Sequence, residues 1–235
     1  MTDQTANYDL LYDKEYYSTI INVNHFLNQK LTFKEIHEGY ILPSCSLNEG
    51  GVFDVNGVYV KNSSFREGGV ASNGGSELED NSGFSLAEIA AKQHIDVSAA
   101  KHKHSTVVYI GIMLKTWGHF LTDDMRLLWF LRSKEYREKF ADCPIVYLPA
   151  NGFELKGDWQ RMLEILGVNI SLMTPVTELT KYDRVILPDE CFFMSHKDGT
   201  RYFTREYVET IDAVRDFAIA HSHPAHGKKI NFSHS

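Results

Sequence analysis

TVVYIGIMLKTWGHFLTDDMRLLWF, residues 106–130, passes from an unbroken apolar run into a charged turn and out into an amphipathic pattern. Residues 106–114 have no polar–apolar alternation, so they read as a strand buried on both faces of a parallel sheet. Residues 117–133 carry a helical pattern. Downstream the rhythm repeats: a strand at 144–150, a helix at 158–166 closed by Gly167, and a third strand at 168–173. A fourth strand at 184–187 is stopped by Pro188, and a long amphipathic helix runs over 204–221 with Tyr207, Ile211, Val214, Phe217 and Ala218 on one stripe. Residues 228–233 begin another strand. Strands and helices alternating at this length predict an α/β fold with a doubly wound parallel sheet.

Upstream the character differs. Residues 1–37 are mixed and rich in tyrosine, with short helices expected. Residues 38–70 alternate apolar and polar, and Val55-Asn56-Gly57-Val58 marks a hairpin. The Gly, Ser, Asn and acidic residues of 67–85 read as an exposed loop. Residues 85–95 read as a short helix, with Ser85 as cap and Glu88 completing a capping box. The expected organisation is therefore a helical and β-rich section over 1–105, an α/β lobe over 106–227, and a first strand of something further at 228–235.

Composition narrows the function classes. Apolar residues make up 43% and charged residues 23% of 235, so the chain can bury a substantial core and is not disordered in composition. A net charge of −7 without a basic stripe argues against a nucleic-acid partner. The three cysteines, Cys45, Cys143 and Cys191, are far apart and form no C-x-x-C pair, which suits a reducing, cytoplasmic setting. The polar, acidic first residues do not read as a secretory signal. The longest apolar run, VVYIGIML, is strand length, far short of the roughly 18 residues that span a bilayer.

In open α/β sheets ligands sit beyond the carboxyl ends of the strands, where the pattern puts residues 115–119. Gly118 permits a tight turn, and the first turn of a helix offers free N–H groups and a positive dipole end. On helical spacing His119 and Asp123 share a face, and Arg126 continues it. A histidine oriented by a carboxylate is a plausible general base. Against this stands an ordinary reading: an aspartate near a helix N-terminus is favoured in any protein, and His119 fits a surface or satisfied core histidine as well.

The order of residues adds to the spacing. KTWGHFLTD (115–123), followed by Leu128 and Trp129, resembles the central motif of glycosyltransferase family 61: aromatic-Gly-His-Phe-Leu, an acidic residue, then Arg-Leu-Trp. Supporting segments fall in order: Gly50 to Asp54 with Asn62, Ser63 and Ser64; Leu163 to Val168; Val185 to Pro188; and KKINFS (228–233), similar to the family's Lys-Ile-Tyr-hydrophobic-Ser-Arg. The resemblance covers most of 40–235. It departs at Leu127, where the family has Arg, at Asn231, where it has Tyr, and at His234, where it has Arg.

The resemblance implies a Rossmann-like sheet forming the first lobe of a two-lobed glycosyltransferase-B fold, with the chain ending as the second lobe would begin. It implies sugar transfer from a nucleotide-sugar donor to a glycan or other hydroxyl acceptor. His119 would take the acceptor proton, Asp123 would orient His119, and Trp117 and Gly118 would contact substrate. Two further substrate contacts are expected from position alone: Arg126 from its helical spacing, and Glu190, which follows Pro188-Asp189 at a strand's end and so either lines the cleft or reads as a solvated loop acid. An acceptor-side half of this kind is expected to have weak or no activity alone, and a second lobe or another copy of the chain is a candidate partner. The chain has no Asp-x-Asp motif, and Asp123 and Asp124 would point apart on a helix, so no metal or other cofactor is expected.

Other candidates carry less. Arg201 and Arg205 could meet phosphate but read first as surface residues. His102-x-His104, and His221-x-His223 with His226, have metal-ligand spacing in polar, loop-like contexts without an acidic partner. Trp159 reads as core. A glycoside hydrolase would need an acid pair that does not stand out. The main rival is a non-catalytic α/β domain that binds glycan or a partner.

Overall fold

The computed structural model describes residues 24–43, 50–63, 85–116, 124–150, 152–194 and 201–221. Among the described residues ten strands run in chain order: β1 (Asn24–Leu27), β2 (Phe33–His37), β3 (Tyr40–Leu42), β4 (Gly51–Phe53), β5 (Lys101–Leu114), β6 (Ile145–Ala150), β7 (Met173–Pro175), β8 (Thr180–Pro188), β9 (Phe192–Met194) and β10 (Arg201–Thr204). The α-helices among the described residues are α1 (Leu86–Lys92), α2 (Trp129–Arg132), α3 (Lys134–Lys139), α4 (Asp158–Ile165) and α5 (Arg205–His221).

The chain is mixed α/β. Its main sheet has seven strands in the order β4-β3-β8-β5-β6-β7, with β2 also on β8. Strands β8, β5, β6 and β7 are mutually parallel. Strands β2 and β3 lie antiparallel to β8 in one register, with Phe33 opposite Pro188, His37 opposite Arg184 and Tyr40 opposite Lys181. The β-rich section before residue 105 is thus hydrogen-bonded into the same sheet, and the boundary expected at 105/106 falls inside β5. A second sheet, β1-β10-β9, is small.

The sheet is buried on both faces, as the apolar runs require. Val108 and Ile110 of β5, Ile145 and Tyr147 of β6 and Ile186 of β8 face a core closed by Phe130, Phe140, Leu163 and Leu166. Tyr207, Ile211 and Val214 of α5 pack onto that core. Val107 and Tyr109 of β5, with Val146, Leu148, Val185 and Leu187, face the other side with Ile36, Ile41 and Val52. Gly111 changes the phase. Its φ is +92°, and the pairing with β6 slips between Tyr109 and Ile112. After this bulge Met113 joins the first core, while Ile112 and Leu114 join the second.

Local chemistry explains the smaller elements. The capping box at α1 is present: Ser85 Oγ accepts from Glu88 N at 3.2 Å, and Glu88 Oε2 accepts from Ser85 N at 2.9 Å. The hairpin at 53–59 turns over Asp54, whose Oδ1 accepts from Asn56 N and Val58 N, each at 2.9 Å.

Three expectations need correction. First, the described part of 117–133 is not one helix. It is a 3-10 turn at Asp124–Arg126, then α2, then a break at Ser133 (φ −67°, ψ 153°) before α3. Ser133 is extended and its side chain accepts from Tyr136 N at 3.0 Å, so it stops one helix and caps the next. Second, the strand expected at 168–173 is shifted. Asn169 Oδ1 accepts from Ser171 N and Oγ, which fixes a 3-10 turn at Ile170–Leu172, and β7 starts at Met173. Third, the four-residue link 176–179 from β7 to β8 carries no helix, unlike a regular parallel crossover. The strand expected at 228–233 lies outside the described residues. No helix among the described residues is long and apolar enough to cross a membrane.

Candidate functional site

Strand order places the candidate region. From β5 the chain moves outward to β6 and then β7, and afterwards returns to the other side of β5 as β8. The order therefore reverses between β5 and β8, and a crevice beyond their carboxyl ends, at Leu114 and Pro188, is where open α/β sheets bind ligands. The chain leaves β5 through the exposed Lys115 and Thr116 and re-enters the core at Asp124. Trp117, Gly118, His119 and Asp123 lie between these points and outside the described residues.

What holds the two ends of that segment is well defined. Asp124 is 1% exposed, and its Oδ2 accepts from Leu114 N at 2.8 Å, in a buried bond joining the last residue of β5 to the first after the segment. Every residue from Asp124 to Leu131 is buried. Arg126, expected to continue an open polar face, instead points inward. Its Nη1 donates to Oε1 of Glu190, and the two residues are 5% and 7% exposed. Glu190, expected to line a cleft, is its buried counter-charge. A Cβ placed on Gly111 would lie 3.9 Å from Arg126 Nη2, so the guanidinium passes close over the bulge.

Residues 189–191, just past β8, are fixed on several sides. Asp189 Oδ2 accepts from Thr32 N and Oγ1 at 2.9 and 2.8 Å, and Asp189 O accepts from Trp129 Nε1 at 2.8 Å. Cys191 N donates to Arg126 O, and Thr204 N donates to Cys191 O, both at 2.9 Å. Phe192 stacks on Tyr207 of α5 at 4.9 Å. Burial pushes the Cys191 thiol well above its usual range, with Glu190 and then Glu206 adding to the effect and Arg126 opposing it. Glu206, in the first turn of α5, has a buried Oε2 with no hydrogen-bond partner among the described residues. At the reversal of the sheet Glu190 thus pairs with the Arg126 guanidinium, while Asp124 holds Leu114 N and Glu206 lies near enough to Cys191 to help push its thiol up. A cluster of this kind fixes backbone and orients groups placed against it.

Spacing alone did not reveal Asp124 or Glu206. Asp124 follows Asp123 directly, and only the hydrogen bond to Leu114 separates their roles. The other candidates divide. Arg201 is exposed on β10, and Arg205 Nε donates to Glu209 Oε1 at 2.7 Å on the surface of α5. Trp159 packs against the core, 6.1 Å from the Phe153 ring. His221 ends α5, and His223 and His226 lie outside the described residues. His102 and His104 are not in a loop: both are on β5 with Asp183 of β8 as an acidic partner, the three ligand atoms within 4.8 Å of one another. A cleft of about 500 Å³ elsewhere, between Pro43, Asp96, Pro149 and Glu178, contains none of the predicted site residues. Comparisons of the chain with protein-family models, with curated proteins and with solved structures find no match in any of the three.

Proposed function

We propose that the chain is the acceptor-side, Rossmann-like lobe of a family 61-like glycosyltransferase, transferring sugar from a nucleotide-sugar to a glycan hydroxyl. The observation that carries the reading is positional. Leu114 and Asp124, which flank in sequence the segment 115–123 whose order resembles the family motif, are hydrogen-bonded to each other at the carboxyl end of β5, next to the point where the strand order reverses.

In this reading His119 removes the acceptor proton and Asp123 orients it, while Trp117 and Gly118 shape the floor. The Arg126–Glu190 pair is buried and charge-compensated, which leaves the leaving diphosphate to backbone N–H groups or to a second lobe.

Calorimetry with UDP, GDP and CMP sugars, together with a transfer assay on glycan acceptors, tests the reading. His119→Ala is expected to lower turnover by about 10²–10⁴-fold, the usual contribution of a general base, with donor affinity nearly unchanged. Full turnover in that variant removes His119 from the role. A chain that binds glycan but turns over no nucleotide-sugar in any assembly is a binding domain instead.

A further inference from the structure

The far end of β5 carries a second constellation. In the stretch KHKH (101–104) the two histidines occupy alternate positions, so they project from one face of the strand. His102 pairs with Lys181 of β8, and the register slips between Lys103 and Thr106, opposite Asp183. Both imidazoles reach the same oxygen. His102 Nε2 is 2.9 Å and His104 Nδ1 3.3 Å from Asp183 Oδ1, and the two rings lie 4.1 Å apart.

We propose that His102, His104 and Asp183 form a binding site for a divalent transition-metal ion, with zinc as the best fit. Two imidazoles and one carboxylate are ligands that zinc accepts, at about 2.0–2.2 Å. The edge of a tetrahedron with such bonds is about 3.3 Å. The measured donor separations of 2.9 and 3.3 Å, with all three atoms inside 4.8 Å, need only small side-chain adjustments to meet it. The carboxylate offsets part of the ion's charge.

The lysines around the site are directed elsewhere. Lys181 Nζ bonds Glu38 Oε1 at 3.2 Å and sits over the Tyr40 ring. Lys101 Nζ bonds Glu178 at 2.6 Å, and Lys103 lies over the Tyr182 ring. These three ammonium groups thus have partners other than the Asp183 carboxylate.

Three protein ligands leave one position, and that position faces water because all three residues are exposed. This is the pattern of an ion that can take a water or an external anionic ligand, rather than of a closed structural site. The ion would also join the two central strands of the sheet. At about 3.3 Å per residue the two histidines are about 33–40 Å along β5 from Leu114, so the site is separate from the proposed sugar-transfer region.

The test uses the full chain stripped with a chelator and then titrated with Zn²⁺ by equilibrium dialysis, with Co²⁺ as a spectroscopic probe. The wild type is expected to bind one ion here, to show the intense visible bands of four-coordinate Co²⁺, and to gain thermal stability with Zn²⁺. His102→Ala, His104→Ala and Asp183→Asn should each weaken binding by at least about tenfold and remove the thermal shift. His223→Ala/His226→Ala should leave both unchanged. Circular dichroism checks that the variants fold, as exposed substitutions should. The proposal is overturned if the wild type binds no ion, if the three variants bind as the wild type does, or if only the His223/His226 variant loses binding. In those cases the histidines simply hydrogen-bond Asp183.

Discussion

Arg126 and Glu190 form an ion pair in the core although 64 residues separate them, one in the 3-10 turn after the 117–123 segment and the other just beyond β8. The pair ties the exits of the two strands between which the sheet order reverses. Cys191 N, donating to Arg126 O, adds a backbone link between the same two places. The carboxyl end of β5 and β8 is therefore held by a buried charge pair as well as by apolar packing.

Removing one partner leaves a buried charge without compensation, which costs about 3–5 kcal/mol. Arg126→Met and Glu190→Leu are each expected to lose stability of that order. The double variant, which removes both charges and keeps the volume, should recover most of it. Urea unfolding in a double-mutant cycle measures this. Single variants as stable as the wild type would show that the pair holds nothing together.

Much of this arrangement could be read in the sequence, and the rest could not for definable reasons. Strands β5, β6 and β8 and helices α4 and α5 were legible because long apolar runs and a 3.6-residue stripe are local signals. The bulge at Gly111 was not, since a strand buried on both faces shows no alternation whose phase could be seen to change. Ser133 reads equally well inside a helix and at its end. The KHKH stretch resembled a loop because an exposed strand end has no apolar residue to betray it. The Arg126–Glu190 and His104–Asp183 contacts join elements far apart in the chain, and no spacing rule reaches across them.

Gly111 provides a sharper stability test. At φ +92° a side chain is strained whatever space surrounds it, and an added Cβ would also sit 3.4 Å from Leu127 Cδ1. Gly111→Ala should cost about 1–3 kcal/mol. Because the bulge sets which residues of β5 face each core, the variant should also disturb Met113 and Leu114 more than Val107 and Val108. Methyl chemical shifts of Val, Leu and Met residues report this directly. Equal perturbation on both sides of position 111 would contradict the phase change.

Asp124 is predicted to be a positioning residue. Its Oδ2 holds the N–H of Leu114, and Asp124→Ala removes a charge-assisted bond inside the core. The expected cost is about 1.5–3 kcal/mol, with faster limited proteolysis between 115 and 123 than elsewhere. If sugar transfer is observed, the variant should lose kcat while donor affinity changes little, because the segment bearing His119 loses its anchor. Proteolysis rising equally across the whole chain would mean general unfolding rather than local release.

The buried thiol and phenol near the ion pair make alkaline pH destabilising. Burial raises the pKa of Cys191 well above its usual value, with Glu190 the next contributor, and that of Tyr109 is likewise raised by burial and then by Tyr59. Tyr109 OH also donates to Ser63 O at 2.6 Å, a bond only the protonated phenol can make. In both residues the folded state holds its proton more tightly than the unfolded chain. The unfolded chain releases the thiol proton near pH 8.5 and the phenol proton near pH 10. The stability these groups contribute is therefore complete below about pH 8.5 and declines as pH rises from there toward the folded values. The urea midpoint should fall across this range, and Cys191→Ala should flatten the first part of the fall while Tyr109→Phe flattens the second. In the folded protein at neutral pH, iodoacetamide should leave Cys191 unmodified and label it only after unfolding. A midpoint that stays level up to pH 10, or rapid labelling of Cys191 in the folded protein, would mean that the core around these groups admits water.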